Sequence, residues 1–216
     1  MVIRQRIKNK KIILLLLVVF ASLVTIRGQK PSIGDYLPEQ GGVVFRVDAA
    51  TKKAWVIATE NCRRTLQMDV SGLLPIADTA EAVKYVDGSA NTKKMKGGRC
   101  LQLINTYRAE APAEAFDDWY IPSAGEWGLF VTGRGSVGER TDVLSMVDES
   151  LSRIGKTPLG KDKYWSSTAE KVSGFPSAWH INLRSADISA INVYQYLKLR
   201  GARSFQWEQS GIQESE

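Results

Sequence analysis

Asp117-Asp118-Trp119-Tyr120-Ile121-Pro122-Ser123-Ala124-Gly125-Glu126-Trp127 is the stretch that decides how this chain folds. Pro122 pushes Ile121 into extended backbone, so no helix starts there. Ser123 then stands at a helix N-cap, and Glu126, three residues on, completes a Ser-x-x-Glu capping box. The spacing predicts a buried aromatic entry leading straight into a capped helix from Ala124 to about Val131. Aromatics placed before such a helix have little use other than core packing.

Working outward, Tyr164-Trp165-Ser166-Ser167-Thr168 follows about forty residues later, then Ser177-Ala178-Trp179, then Leu199-Arg200-Gly201-Ala202-Arg203-Ser204-Phe205. Upstream stand Ile33-Gly34-Asp35-Tyr36, Gly41-Gly42-Val43-Val44-Phe45-Arg46-Val47-Asp48 and Asp87-Gly88-x-x-Asn91-Thr92. In this order the segments resemble the Fibrobacter succinogenes major paralogous domain family, a divergent C-type-lectin-like family of bacterial surface proteins. The resemblance spans roughly residues 33 to 205. The chain departs from the family pattern at Leu199-Arg200-Gly201-Ala202-Arg203 and in a longer, more charged stretch after Val131. The resemblance implies a C-type-lectin-like fold: a mixed, mostly antiparallel sheet, two or three helices and adjacent termini. A first strand at about 43–48 would lie antiparallel to a last strand at about 198–206.

The N-terminus is a separate matter. Arg4, Arg6, Lys8, Lys10 and Lys11 precede an apolar run from Ile12 to Ile26, and Ile26 and Gly28 suit cleavage before Gln29. This is the pattern of a secretory signal peptide. An uncleaved anchor is the competing reading, but fifteen residues fall short of the ~20 that span a bilayer. The expected organisation is a signal peptide at 1–28, a tail at 29–37, one lectin-like domain at 38–207 and a tail at 208–216. The signal segment carries six of the 29 Lys and Arg and none of the 23 acids, so the mature chain is formally neutral. The basic pI therefore reports targeting, and nucleic-acid binding, which needs a basic domain face, is not expected. Export predicts a periplasmic, surface or secreted location, with membrane contact only through an uncleaved signal segment. Cys62 and Cys100 make an even count, which in an exported protein suggests a disulfide; two buried free thiols are the alternative.

Val43–Val47 and Trp55–Ala58 read as a hairpin around the turn 48–53. Ala80–Tyr85 reads as a short helix, Thr92–Tyr107 as helical but interrupted at Gly97-Gly98, and Thr141–Ile154 as an amphipathic helix. Farther on, Trp179, Ile181 and Leu183 alternate with His180, Asn182 and Arg184, and Val193, Leu197 and Leu199 with Asn192, Tyr194, Tyr196, Lys198 and Arg200. Both segments read as strands with one wet face, joined by Ser185–Ser189. Strands, then helices, then strands is an α+β order.

Catalytic and metal motifs fail on inspection. Gly133-Arg134-Gly135-Ser136-Val137-Gly138 matches G-x-G-x-x-G, but a helix precedes it and no acid follows about twenty residues on. Gly155-Lys156-Thr157 resembles a P-loop tail, yet Ser150 stands where the first glycine must be. His180 is the single histidine, with Ser185 and Asp187 nearby only in sequence. One His and two distant Cys do not make a zinc set. The Glu-Pro-Asn or Gln-Pro-Asp triplet of calcium-dependent lectins is absent, although Asp117, Asp118, Glu126, Asp142 and Asp148 are available carboxylates. No cofactor, no metal and no enzyme activity are expected. The outward face is the remaining candidate: His180, Asn182, Arg184, Asn192, Tyr194 and Tyr196. Tyrosine and asparagine give contact area and adaptable hydrogen bonds at modest entropic cost. The expected function is an adhesin-like binding module for a glycan or protein. A structural envelope component and a hypervariable display scaffold are the alternatives.

Overall fold

The computed structural model describes residues 30–62, 65–73, 75–132, 142–171 and 174–207. It divides into two units, Pro31–Gln206 and the terminal segments Met1–Lys30 with Trp207–Glu216, and of the latter only Lys30 and Trp207 are described. The expected signal peptide, the C-terminal tail and the glycine-rich 133–138 stretch lie outside the described residues. Among the described residues no helix is long and apolar enough to cross a membrane.

The unit Pro31–Gln206 is a mixed α/β structure with two four-stranded sheets. The first holds β1 (Tyr36–Leu37), β2 (Gly42–Asp48), β3 (Lys53–Asn61) and β8 (Arg200–Gln206), in that order. The second holds β4 (Pro75–Ile76), β5 (Lys163–Glu170), β6 (Ser177–Asn182) and β7 (Asp187–Asn192). All pairings are antiparallel except β4 with β5. The helices are α1 (Thr79–Ala82), α2 (Gly88–Lys94), α3 (Arg99–Thr106), α4 (Ala124–Thr132) and α5 (Val143–Arg153). Among the described residues that is five rather than two or three. Asp78 and Asp87 each cap a short helix of their own, accepting from Glu81 N and Ala90 N at 2.8 Å, and Gly98 splits α2 from α3.

The β2–β3 hairpin forms as its sequence predicts, and Asp48 closes the turn by accepting from Ala50 N and Thr51 N. Its partner is different, however. The last strand, β8, pairs with β3 and not with the first long strand β2, whose free side is taken by β1. β2 pairs its other edge with β1, and β3, whose Ala54–Thr59 segment is buried throughout, is interior to the sheet. The first and last strands therefore sit at opposite edges of this sheet. The stretch read as an N-terminal tail also belongs to the fold, for Tyr36 pairs with Val43 and Gly34 N donates to Val44 O at 2.8 Å.

The capping box sits at the hub. Glu126 N donates to Ser123 Oγ at 3.2 Å, and Ser123 N donates back to Glu126 Oε2 at 2.8 Å. The same carboxylate accepts from Gly88 N at 3.0 Å and from the Tyr120 hydroxyl at 2.7 Å. It thus fastens the start of α2 to the start of α4. Gly88 has to be glycine here, because a Cβ would stand 2.5 Å from Glu126 Oε2 and 2.5 Å from Ile121 O. Thr92 Oγ1 accepts from Ile121 N at 3.0 Å, and Thr168 Oγ1 from Ala124 N at 3.0 Å. Trp127 Nε1 donates to Trp165 O, and Tyr120 and Ala202 exchange both backbone bonds. The separate sequence segments are thus the parts of one interlock.

Residues alternate along β2, β3, β5 and β6 between two apolar clusters. Phe45, Trp55, Trp127, Tyr164, Trp179 and Ile181 belong to one. Val44, Val56, Cys100, Ile104, Trp119 and Trp165 belong to the other. Both faces of these strands are therefore covered, which overturns the expectation of a wet face. Trp119, Tyr120, Trp165 and Trp179 are buried as their contexts predict. Arg200, read as outward, is fully buried: it donates to the carbonyls of Ala58, Thr59 and Thr157 and to Asn61 Oδ1, strapping the irregular end of β3. Arg203 grips Asp118 through two nitrogens at 2.7 and 3.1 Å and lies over the Phe116 ring. Cys62 and Cys100 are free thiols, so the expected bridge is not formed. Both are core side chains of the second cluster, and Cys100 Sγ donates to Gln67 O at 3.2 Å.

Candidate functional site

The β6–β7 hairpin places the six residues expected to share a face. Its register pairs Asn182 with Asp187 at the turn and Ser177 with Asn192 at the far end. The connection is Leu183–Ala186, and Asp187–Asn192 is itself a strand instead of part of the link. At ~3.4 Å per residue the two asparagines stand about 17 Å apart. Asn182 and Arg184 belong to the turn, where Asn182 Oδ1 accepts from Arg184 N at 3.2 Å and Arg184 is exposed. The six residues do not form one surface.

His180 lies between those ends and is buried. Its Nδ1 is 2.7 Å from Ser189 O. A carbonyl only accepts, so Nδ1 carries the proton and donates. Burial pulls the imidazole below its ordinary pKa, and Lys163 adds to this against the opposing Ser189 bond and Asp187. Asp187 spends its Oδ2 on the Ser189 hydroxyl at 2.7 Å. The histidine therefore serves the sheet, held by a backbone carbonyl instead of a carboxylate–nucleophile pair.

The other end is built differently. Val193–Leu199 is no strand but a clamped turn and bridge. Asn192 Oδ1 accepts from Tyr194 N at 2.8 Å, and Val193 N donates to Pro176 O at 3.1 Å. From the opposite side Met68 N donates to Val193 O, Gln67 Nε2 to Tyr194 O at 2.9 Å, and Leu66 and Leu197 exchange both backbone bonds. Val193 and Leu197 point into the core and leave Tyr194 58% and Tyr196 64% exposed. Phe175, 68% exposed, precedes the residue that bonds Val193. These three are the most exposed large hydrophobics among the described residues.

The sequence pointed to Asn192, Tyr194 and Tyr196, which the structure keeps together, and did not point to their neighbours Phe175 and Gln67. Gly174-Phe175-Pro176 did carry the signal of a loop, since glycine punctuates and a residue before proline is held extended, but nothing in it announced the exposure of Phe175. Gln67 had none, because its role depends on a partner 127 positions away. The carboxylates considered for calcium are dispersed. Asp118 pairs with Arg203, Glu126 is interior, Asp142 caps α5, and Asp148 accepts from Leu159 N and Gly160 N. Among the described residues no three His, Cys, Asp or Glu side chains converge as a metal-binding group. Compared with known proteins, the chain matches no protein-family model and no curated protein.

Proposed function

We propose that this chain is an exported, non-enzymatic binding module whose ligand is a glycan. Its fold is read as a divergent C-type-lectin-like one, of the kind found in the Fibrobacter succinogenes major paralogous domain family. The binding face is Asn192, Tyr194 and Tyr196 together with Phe175 and Gln67. His180 is removed from the face because it is buried, and Asn182 and Arg184 because they lie at the other end of the hairpin. One observation carries the reading: Tyr194 and Tyr196 are mostly exposed on a turn whose neighbours are locked from both sides, and the exposed Phe175 precedes the residue that supplies one of those bonds. A ring carried on a clamped backbone has only its own side-chain torsions to lose on meeting a ligand, and its apolar face suits the C–H face of a pyranose. Asn192 Oδ1 and Gln67 Nε2 hold the Tyr194 backbone, which leaves Asn192 Nδ2, Gln67 Oε1 and the exposed Gln195 amide to serve ring hydroxyls, and few polar groups around an apolar platform is how small-ligand sites are composed.

The test is a glycan array and titration with mature protein, with and without calcium, beside the Tyr194→Ala/Tyr196→Ala variant. Retention of a subset of glycans, weakened at least tenfold in a variant that melts normally, is the expected result. Absence of any ligand, or binding indifferent to the two tyrosines, counts against it. A protein that co-purifies in fixed ratio would favour the envelope-assembly reading.

A further inference from the structure

Loop 67–73 joins the aromatic end of the second sheet to a run of cations. At one end Gln67 donates to Tyr194 O; at the other Ser71 O accepts from Lys96 N at 3.0 Å. Four residues of chain reach no farther than about 14 Å. Lys93, Lys94, Lys96 and Arg99 are all exposed, and among the described residues none of them forms an ion pair. Lys93 and Lys94 have a structural use in the last turn of α2, where a helix dipole favours cations. Lys96 and Arg99 have less, Arg99 donating only to the neutral Gln102 Oε1 on its own helix at 3.2 Å. Lys96 follows the helix, and Arg99 opens α3, at the end where the dipole disfavours a cation. Gly98, the residue before it, offers no side-chain cap, and the neighbouring Asp69 carboxylate accepts from Ser71 N. In a mature chain of zero formal charge, this is a local excess of positive charge beside the aromatic face.

We infer that the ligand is an acidic glycan, whose sugar-borne carboxylates meet Lys96 and Arg99 while its rings lie on Tyr194 and Tyr196. This rests on the glycan reading of the aromatic face and names the sugar class. Charge complementarity of this kind acts at the rim of an interface, where it sets partner choice and salt dependence.

Polygalacturonate, neutral dextran, polyphosphate and vesicles of anionic phospholipid are titrated into the mature protein. The wild type is compared with Lys96→Gln/Arg99→Gln and with Tyr194→Ala/Tyr196→Ala. Polygalacturonate is expected to bind more tightly than dextran, with affinity falling as salt rises through the range that shortens the Debye length to a few ångström. The charge variant should weaken polygalacturonate about tenfold at unchanged melting temperature, as two partly screened cations warrant. The tyrosine variant should weaken it at least as much. Dextran binding equal to polygalacturonate and indifferent to the charge variant would overturn this inference while leaving the glycan reading standing. Polyphosphate or vesicles bound as well, with no effect of the tyrosine variant, would reduce the region to a plain cationic surface. No polysaccharide bound, acidic or neutral, would overturn both.

Discussion

Glu126→Ala removes from the interior a carboxylate that accepts from Tyr120 Oη, Gly88 N, Ser123 N and Ser123 Oγ. The hydroxyls can turn elsewhere; the two backbone N–H groups cannot. Each buried donor left without an acceptor costs about 1–3 kcal/mol, so the variant should lose roughly 3–5 kcal/mol once the lost packing is included. For a domain of this size about 2–4 °C follows each kcal/mol, which puts the melting point down by about 6–20 °C. Glu126→Gln is the control. Its carbonyl oxygen keeps both N–H donors and its amide donates to Tyr120 Oη, so the expected loss is about 1 kcal/mol. Acidity gives a second readout. Burial raises the folded carboxyl above its ordinary 4.5, against the bonds from Ser123, Tyr120 and Gly88. Between the unfolded and folded values the native state holds the extra proton, so stability falls as pH rises from about 4.5 through the folded pKa, then levels. Subtracting the Glu126→Gln curve isolates this slope. Thermal and urea unfolding at several pH values read all three effects. Glu126→Ala melting like wild type, or Glu126→Gln costing as much as alanine, would refute the hub.

Arg203→Lys keeps the charge but loses the fork onto Asp118 and the stack on Phe116, and should cost about 1–2 kcal/mol in urea unfolding, discounted for the half-exposed carboxylate. Burial pushes the Cys62 and Cys100 thiols up to about 12, so Ellman's reagent at pH 8 should react with them only after denaturation; fast reaction of the native protein would contradict this. Trp179→Ala should cost roughly 3–5 kcal/mol, whereas Tyr194→Ala and Tyr196→Ala should each stay within about 0.5 kcal/mol, all read from melting curves.

Local signals in the chain were legible. The Ser123–Glu126 box, the Asp48 turn, the Gly97-Gly98 break and the α5 helix all depend on residues close in sequence, and each appears where its spacing places it. What the pattern could not give is the number of covered faces. Alternation at Trp179–Arg184 reads as one wet side, but a second apolar cluster covers that side, and His180 and Arg200 are interior as a result. The stretch Val193–Leu199 alternates for a different reason: a two-sided clamp directs Val193 and Leu197 inward without making a strand. Sheet order was equally hidden. Nothing within β2 or β8 says that β3 stands between them, since the β3–β8 pairing joins segments far apart in sequence. Of the candidate residues, Asn192, Tyr194 and Tyr196 lie within five positions of one another in sequence; Phe175 and Gln67, proposed beside them, are brought by the fold.

The most direct measurement is an amide chemical-shift map of the chain from Gln29 onward, titrated with the best-retained saccharide. Perturbations centred on Phe175, Asn192–Leu197 and Gln67, fading along β6 and β7 toward the Leu183–Ala186 turn, are the expected result. Perturbations centred on Asn182–Ser185, or none at saturating saccharide, would contradict the claim that this clamped aromatic end is where the protein binds.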